Sequence, residues 1–252
     1  MVMGTPTALG ALPGVRAGSL TDRVEQRLIA AIIARQFDVD DRLPQESELA
    51  EELGVSRLTL REAVKSLQRL GVVRIERGRG TFVNPRSRWS QLDPLILTAM
   101  IDAGQGAGVY RSLTELRRML EVGLVPLAAE RRTEEHLAAL GDALHRMQHA
   151  CDAHDVGAFA AADLDFHDVL LDAADNPIVL ALYGLMNDAL RRIREQTTTR
   201  TIGDPAAVDT HRRVFEAVQA GDPLASVDAM SRHFDNTARY VAQVIDADQD
   251  DG

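Results

Sequence analysis

Apolar and polar positions between residues 42 and 83 alternate with two different periods. Leu49, Ala50 and Leu53 share one helical face while Glu48, Glu51 and Glu52 hold the other, which predicts a short amphipathic helix. Gly54 follows at the point where a chain leaves a helix through the left-handed conformation. Ser56 then stands at an N-cap position, where its hydroxyl can accept from a free backbone N–H of the next helix. In that helix Leu60, Ala63, Val64, Leu67 and Leu70 form the buried stripe, and Arg57, Arg61 and Lys65, spaced by four, line a different side. Gly71 ends it. The period then shortens: residues 72–75 and 81–83 are β-rich runs joined by the turn Glu76-Arg77-Gly78-Arg79-Gly80.

Two short helices around a glycine turn, followed by a hairpin with a basic tip, are the parts of a winged helix-turn-helix. A helix laid in the major groove needs this division of faces, with apolar residues holding it to its domain and cations reaching phosphate and guanine edges. Each part has a plainer reading, as core packing or a solvated hairpin tip. Arg-Gly-Arg-Gly-Thr also brushes against a phosphate loop, but no Lys precedes the Thr and no helix follows it. The ordered set points to duplex DNA.

Beyond residue 83 the pattern is helical throughout. A polar stretch, Asn84-Pro85-Arg86-Ser87-Arg88, reads as a linker, and about seven helical segments follow with short connections. Asp93-Pro94, Ser112, Thr133, Asp155, Pro177, Pro205 and Asp222-Pro223 supply their start signals. The expected fold is mainly α: a tail over 1–18, the winged helix-turn-helix over 19–84, a linker over 85–91, an all-helical antiparallel bundle over 92–246 and a tail over 247–252.

Charge sharpens this division. The net charge is −10, yet residues 1–90 hold 14 Lys and Arg against 11 Asp and Glu, while residues 91–252 hold 14 against 27. A mildly basic head on an acidic body orients the head toward phosphate. Cys151 is the only cysteine, which excludes an intrachain disulfide and suits a reducing compartment. No apolar run approaches a membrane span, and glycines and prolines interrupt the N-terminal stretch where a signal peptide would need continuity. A cytoplasmic protein is expected.

Two features of the body carry candidate chemistry. Asp163 and His167 lie four apart and project from one helical face, His211 shares its face with Val208, Val214, Phe215 and Val218, and His233 lies near Met230 and Tyr240. One carboxylate and three imidazoles suit a divalent ion such as zinc, nickel or manganese, with positions left for a ligand oxygen. Spacing alone leaves the other reading open, that these histidines are satisfied core residues. Arg117 interrupts an apolar stripe of Leu113, Leu120 and Leu124 and therefore needs an anionic partner, either an internal acid such as Glu121 or a small carboxylate bound in the bundle.

The motifs LPQESELAEELGVSRLTLREAVKSLQRLGVV and GRGTFV, with ELRRMLE and DLDFH in the body, resemble the GntR transcription regulators of the FadR-type subgroup, whose all-helical domain is called FCD. The resemblance spans residues 19–245. It implies DNA contacts at Arg57 and Arg61, phosphate contacts at Ser56 and Thr59, and a minor-groove wing tip of Arg77, Gly78 and Arg79. It further implies one metal ion per protomer on Asp163, His167, His211 and His233, and an effector carboxylate on Arg117. Ser47 departs from the pattern, since many members carry Arg there. RWSQLDPLIL is similar to a segment of members that regulate sugar-acid catabolism, which points to an effector such as gluconate or galactonate.

The expected protein is thus a homodimeric, ligand-responsive repressor that binds double-stranded operator DNA and is not an enzyme. Two rivals stand beside it: a metal-dependent enzyme fused to a DNA-binding head, and a regulator whose metal is purely structural.

Overall fold

The computed structural model describes residues 19–250, with the side chains at 196, 200, 201, 205 and 243–250 outside the description. The tail expected over 1–18 lies outside the described residues. The chain divides into two compact units at Gly106/Ala107.

The first unit is the winged helix-turn-helix. Helix α1 (Leu20–Ile33) opens with a capping box between Ser19 and Asp22 and buries Val24, Leu28, Ile29 and Ile32 against the rest of the unit. Helix α2 (Glu46–Leu53) ends at Gly54 with φ 67°, and α3 (Arg57–Arg69) is capped by Ser56, whose hydroxyl accepts from Thr59 N–H at 3.1 Å. Strands β1 (Val73–Glu76) and β2 (Gly80–Val83) pair antiparallel with Arg74 opposite Phe82. Gly71 connects helix to wing at φ 74°, and a side chain there would collide with the Arg88 carbonyl.

The boundary falls later than the 91/92 expected from sequence. Trp89 is buried in the head's own core and its indole N–H donates to the Asn84 carbonyl at 3.1 Å. Helix α4 (Pro94–Met100), capped by Asp93, adds Ile96 and Ala99 to the same core. One large apolar side chain with a satisfied N–H thus folds a polar-looking segment back onto the head. A π-helical turn, Ile101–Gln105, with Gly104 left-handed, leads out of this unit.

The second unit is all helical: α5 (Gly106–Arg131), α6 (Glu134–Ala153), α7 (Val156–Ala173), α8 (Pro177–Gly184), α9 (Asn187–Thr201), α10 (Pro205–Ala220) and α11 (Pro223–Asp250). Ser112 lies inside α5 and does not start it. Side chains of Thr133, Asp155, Asn176 and Asp204 cap α6, α7, α8 and α10, as their short polar groups allow. A turn through Leu185 and Met186 separates α8 from α9, so one expected helix is two. Helix α11 runs past the boundary expected at 246, because no Gly or Pro interrupts it before Gly252. Helices α6 and α7, α7 and α9, and α10 and α11 pack in pairs around Met147, Phe166, Met186, Val218 and Phe234. The protein is mainly α, a winged helix-turn-helix followed by an all-helical domain.

Candidate functional site

The head presents its cations unequally. Arg57 and Arg77 are exposed, whereas Arg61 Nε pairs with Glu46 at 3.2 Å and Arg79 pairs with Glu76. An exposed pair of this kind is worth about 0–1 kcal/mol, so a phosphate or guanine edge can displace Glu46 from Arg61 at small cost. Ser56 and Thr59 sit at the N-terminus of α3 with their hydroxyl oxygens 2.8 Å apart, so Ser56 serves the helix cap. Gly78 gives the wing tip its left-handed turn at φ 76°, and Phe82 lies under the guanidiniums of both Arg74 and Arg79.

In the second unit three of the four candidate ligands, the histidines, come together, and Asp163 stands beside two of them. Asp163 and His167 project from α7, His211 from α10 and His233 from α11, and all four are buried. Ligand nitrogens of the three histidines lie within 4.8 Å of one another. Asp163 Oδ1 stands 2.8 Å from His211 Nε2 and 3.9 Å from His167 Nε2. The opposite nitrogens face other groups: His211 Nδ1 lies 2.7 Å from the Ala207 carbonyl and His233 Nδ1 3.4 Å from Thr210 Oγ1, while His167 Nδ1 abuts Glu121 Oε2 without a well-formed hydrogen bond.

Among the described residues His167 Nε2 and His211 Nε2 have no hydrogen-bond partner although they are buried. Burial, reinforced by the neighbouring His167, lowers the His211 pKa to about 3, and burial followed by His211 holds His233 well below the usual histidine range. Two neutral imidazoles whose outer nitrogens are taken, with a carboxylate beside them, form a donor set that fits a divalent cation.

Arg117 borders this cluster on α5. Its Nε donates to Glu121 Oε1 at 2.9 Å and meets Tyr183 Oη at 2.7 Å, and its guanidinium lies 5.2 Å from the centre of the Phe234 ring. Burial pushes the Glu121 carboxyl up, but Arg117 and His167 together outweigh it and hold that group well below the usual carboxylate range. The internal acid is therefore a real partner of Arg117, while its Nη2 remains without one.

Sequence reasoning missed Arg194. This residue on α9 is as buried as Asp163, touches Asp163 Oδ2 through Nη1, and leaves Nε and Nη2 without a partner among the described residues. Burial first, then the charge of Arg117, lowers its pKa. The signal was present: Ala189, Leu190 and Ile193 are buried apolar neighbours at helical spacing, the anomaly that singled out Arg117. Arg117, Arg194, Asp163, His211, His233 and Asn236 line one cavity of about 50 Å³.

A winged helix-turn-helix joined to an all-helical domain is the architecture of a DNA-binding regulator. The chain belongs to the gntR family of bacterial regulatory proteins: residues 20–83 match that family and residues 112–236 match the FCD domain. It is 28% identical over 228 residues to the galactonate operon transcriptional repressor of Escherichia coli K12, covering 89% of this chain and 97% of that one. It is 29% identical over 221 residues to the transcriptional repressor NanR of Escherichia coli, covering 87% and 83%. The solved structure of Lar, which controls expression of the Listeria monocytogenes agr system, aligns with a TM-score of 0.57 at 20% identity over 91% of this chain and 98% of that one, and so shares its fold. The protein is a DNA-binding transcription regulator, and among its described residues no helix is long and apolar enough to cross a membrane.

Proposed function

We propose that this regulator is a cytoplasmic, homodimeric repressor whose second unit holds one divalent ion and senses a small organic acid. The observation that carries this reading is the convergence of buried, unpartnered His167 and His211 Nε2 atoms on Asp163, with His233 beside them. Asp163, His167, His211 and His233 would hold zinc, nickel or manganese, and the bound ion would supply Lewis-acid attraction for a carboxylate oxygen. Arg117, fixed by Glu121 and Tyr183, keeps one N–H group free to donate to that carboxylate.

In the head, Arg57 and Arg61 would contact bases, Ser56 and Thr59 phosphate, and Arg77, Gly78 and Arg79 the minor groove. The second unit dimerises and places two heads on two half-sites of a palindrome. An acid that binds the DNA-incompatible arrangement better shifts the population away from the operator, and a tenfold loss of operator affinity needs about 1.4 kcal/mol of such preference. The name of the galactonate operon repressor supports a sugar acid such as galactonate or gluconate as the effector class.

A thermal-shift screen of metal-loaded protein against organic and sugar acids, followed by operator release with the best hit, tests the reading. A hit that raises the melting temperature and releases operator DNA is expected. Metal-loaded protein that no acid stabilises would leave a structural metal, and protein that takes up no metal would leave four core residues.

A further inference from the structure

Arg194 changes what the cavity asks of its ligand. Two guanidiniums, both almost fully buried, face one cavity, and each has nitrogens without an acceptor among the described residues: Nη2 of Arg117, and Nε and Nη2 of Arg194. A buried donor left unmade is costly, and a guanidinium more so, because its charge strengthens each bond it forms. Arg117 at least has Glu121 and Tyr183 on its Nε. Among the described residues Arg194 has only the Asp163 carboxylate, which His167 and His211 also face.

Charge balance points the same way. The two acids that touch these arginines, Glu121 and Asp163, cancel them one for one. The histidines are neutral as ligands, so a divalent ion leaves the cavity with two uncompensated positive charges. A monoanion would neutralise one of them and leave the other in a low-dielectric interior.

From these partnerless nitrogens and this charge balance we infer that the effector carries two acidic groups, one taken by Arg117 and the ion and the other by Arg194. This inference rests on the reading of the cavity as a metal-assisted acid site. It narrows that reading from organic acids at large to compact diacids, and so away from the one-carboxylate sugar acids named above, since a cavity of about 50 Å³ has room for only a few waters or as many ligand atoms. A six-carbon acid requires the lining side chains to move apart.

The test is calorimetry on the full-length, zinc-loaded protein, dialysed free of excess zinc, with matched acids that differ by one carboxylate. Three pairs cover three sizes: glycerate and tartronate, butyrate and succinate, gluconate and glucarate. In any pair that binds, the diacid should bind at least about tenfold tighter, the effect of one further charge-assisted pair. Arg194→Gln should bring the diacid down to the affinity of its monoacid partner while the monoacid changes by less than about twofold, and Arg194→Lys should keep part of the preference.

A monoacid that binds as tightly as its diacid in every pair would overturn the inference and leave the acid-sensing reading standing. Equal loss of both acids in Arg194→Gln would remove Arg194 from the second acidic group. Absence of binding by all six acids to protein that retains its zinc would overturn the acid-sensing reading and this inference with it. The comparison on unaltered protein decides the matter even where the variants fold poorly.

Discussion

The Nδ1 of His211 lies 2.7 Å from the carbonyl oxygen of Ala207, one turn earlier on the same helix. A carbonyl only accepts, so this nitrogen carries the proton and Nε2 presents its lone pair to Asp163 and His167. The backbone of α10 thereby sets the tautomer that a metal ligand needs.

His211→Ala combined with His233→Ala should therefore abolish metal uptake. Elemental analysis of protein purified without chelators is expected to find one ion per protomer in the wild type and none in the double variant. Chelation should lower the melting temperature of the wild type and leave the double variant unmoved, because an ion at 100 times its Kd stabilises by about 2.7 kcal/mol. Full metal content in the double variant would make these histidines core residues.

On the head, Arg57→Ala and Arg61→Ala should each weaken operator binding by about 1–3 kcal/mol, the worth of a good bidentate base contact. Arg61 must leave Glu46 first, so Glu46→Gln should preserve or improve affinity. Gel-shift titration at one fixed salt concentration measures all three. Unchanged affinity in both arginine variants would show that α3 is not the reading helix.

Much of this architecture was legible because its signals are local. Gly54, the Ser56 cap and the Gly78 turn depend on the conformation of one or two residues, and each stands where the sequence put it. Of the four candidate ligands, Asp163 and His167 were legible as a pair, since they share a face of α7 by helix geometry alone. What escaped was non-local. Trp89 reads as part of a linker until the Asn84 carbonyl and the head's core receive it. Arg194 continues the stripe of Leu190 and Ile193, so its burial left a local trace, but its partner Asp163 follows only from the packing of α9 against α7.

Glu25 on α1 gives a pH dependence that belongs to the head alone. Burial raises its pKa above 4.5, with the Ser66 hydrogen bond opposing. A folded-state pKa above the unfolded one means that the folded head holds the proton more tightly. The stabilisation is full below the unfolded value and is lost as the pH rises through the folded one. Trp89, the only tryptophan, lies in the same core and reports unfolding of this unit by fluorescence. In urea titrations Glu25→Gln should gain on the wild type as the pH goes from about 5 to about 8, because Gln has no charge to desolvate. A constant difference across that range would mean that Glu25 titrates normally.

The pairing of Arg117 with Glu121 makes the sensor test a two-step experiment. Arg117→Met keeps the aliphatic packing of the stem but leaves Glu121 as a buried carboxylate with one cation fewer. Breaking one side of a buried pair costs about 3–5 kcal/mol, so this variant alone should melt well below the wild type. Adding Glu121→Gln removes the stranded charge and should recover most of that loss, while Gln can still accept from His167 Nδ1 through its amide oxygen. The double variant is then the fair probe of binding. Its operator affinity should match the wild type, since neither residue belongs to the head. Its affinity for the best acid should fall at least about tenfold, because a charge-assisted bond is worth about 1.5–3 kcal/mol. It should consequently stay on the operator at acid concentrations that release the wild type. Calorimetry and operator-release titrations on the two proteins measure this. Equal acid affinity would place the carboxylate elsewhere and leave Arg117 as the internal partner of Glu121, with the DNA-binding head untouched by that outcome.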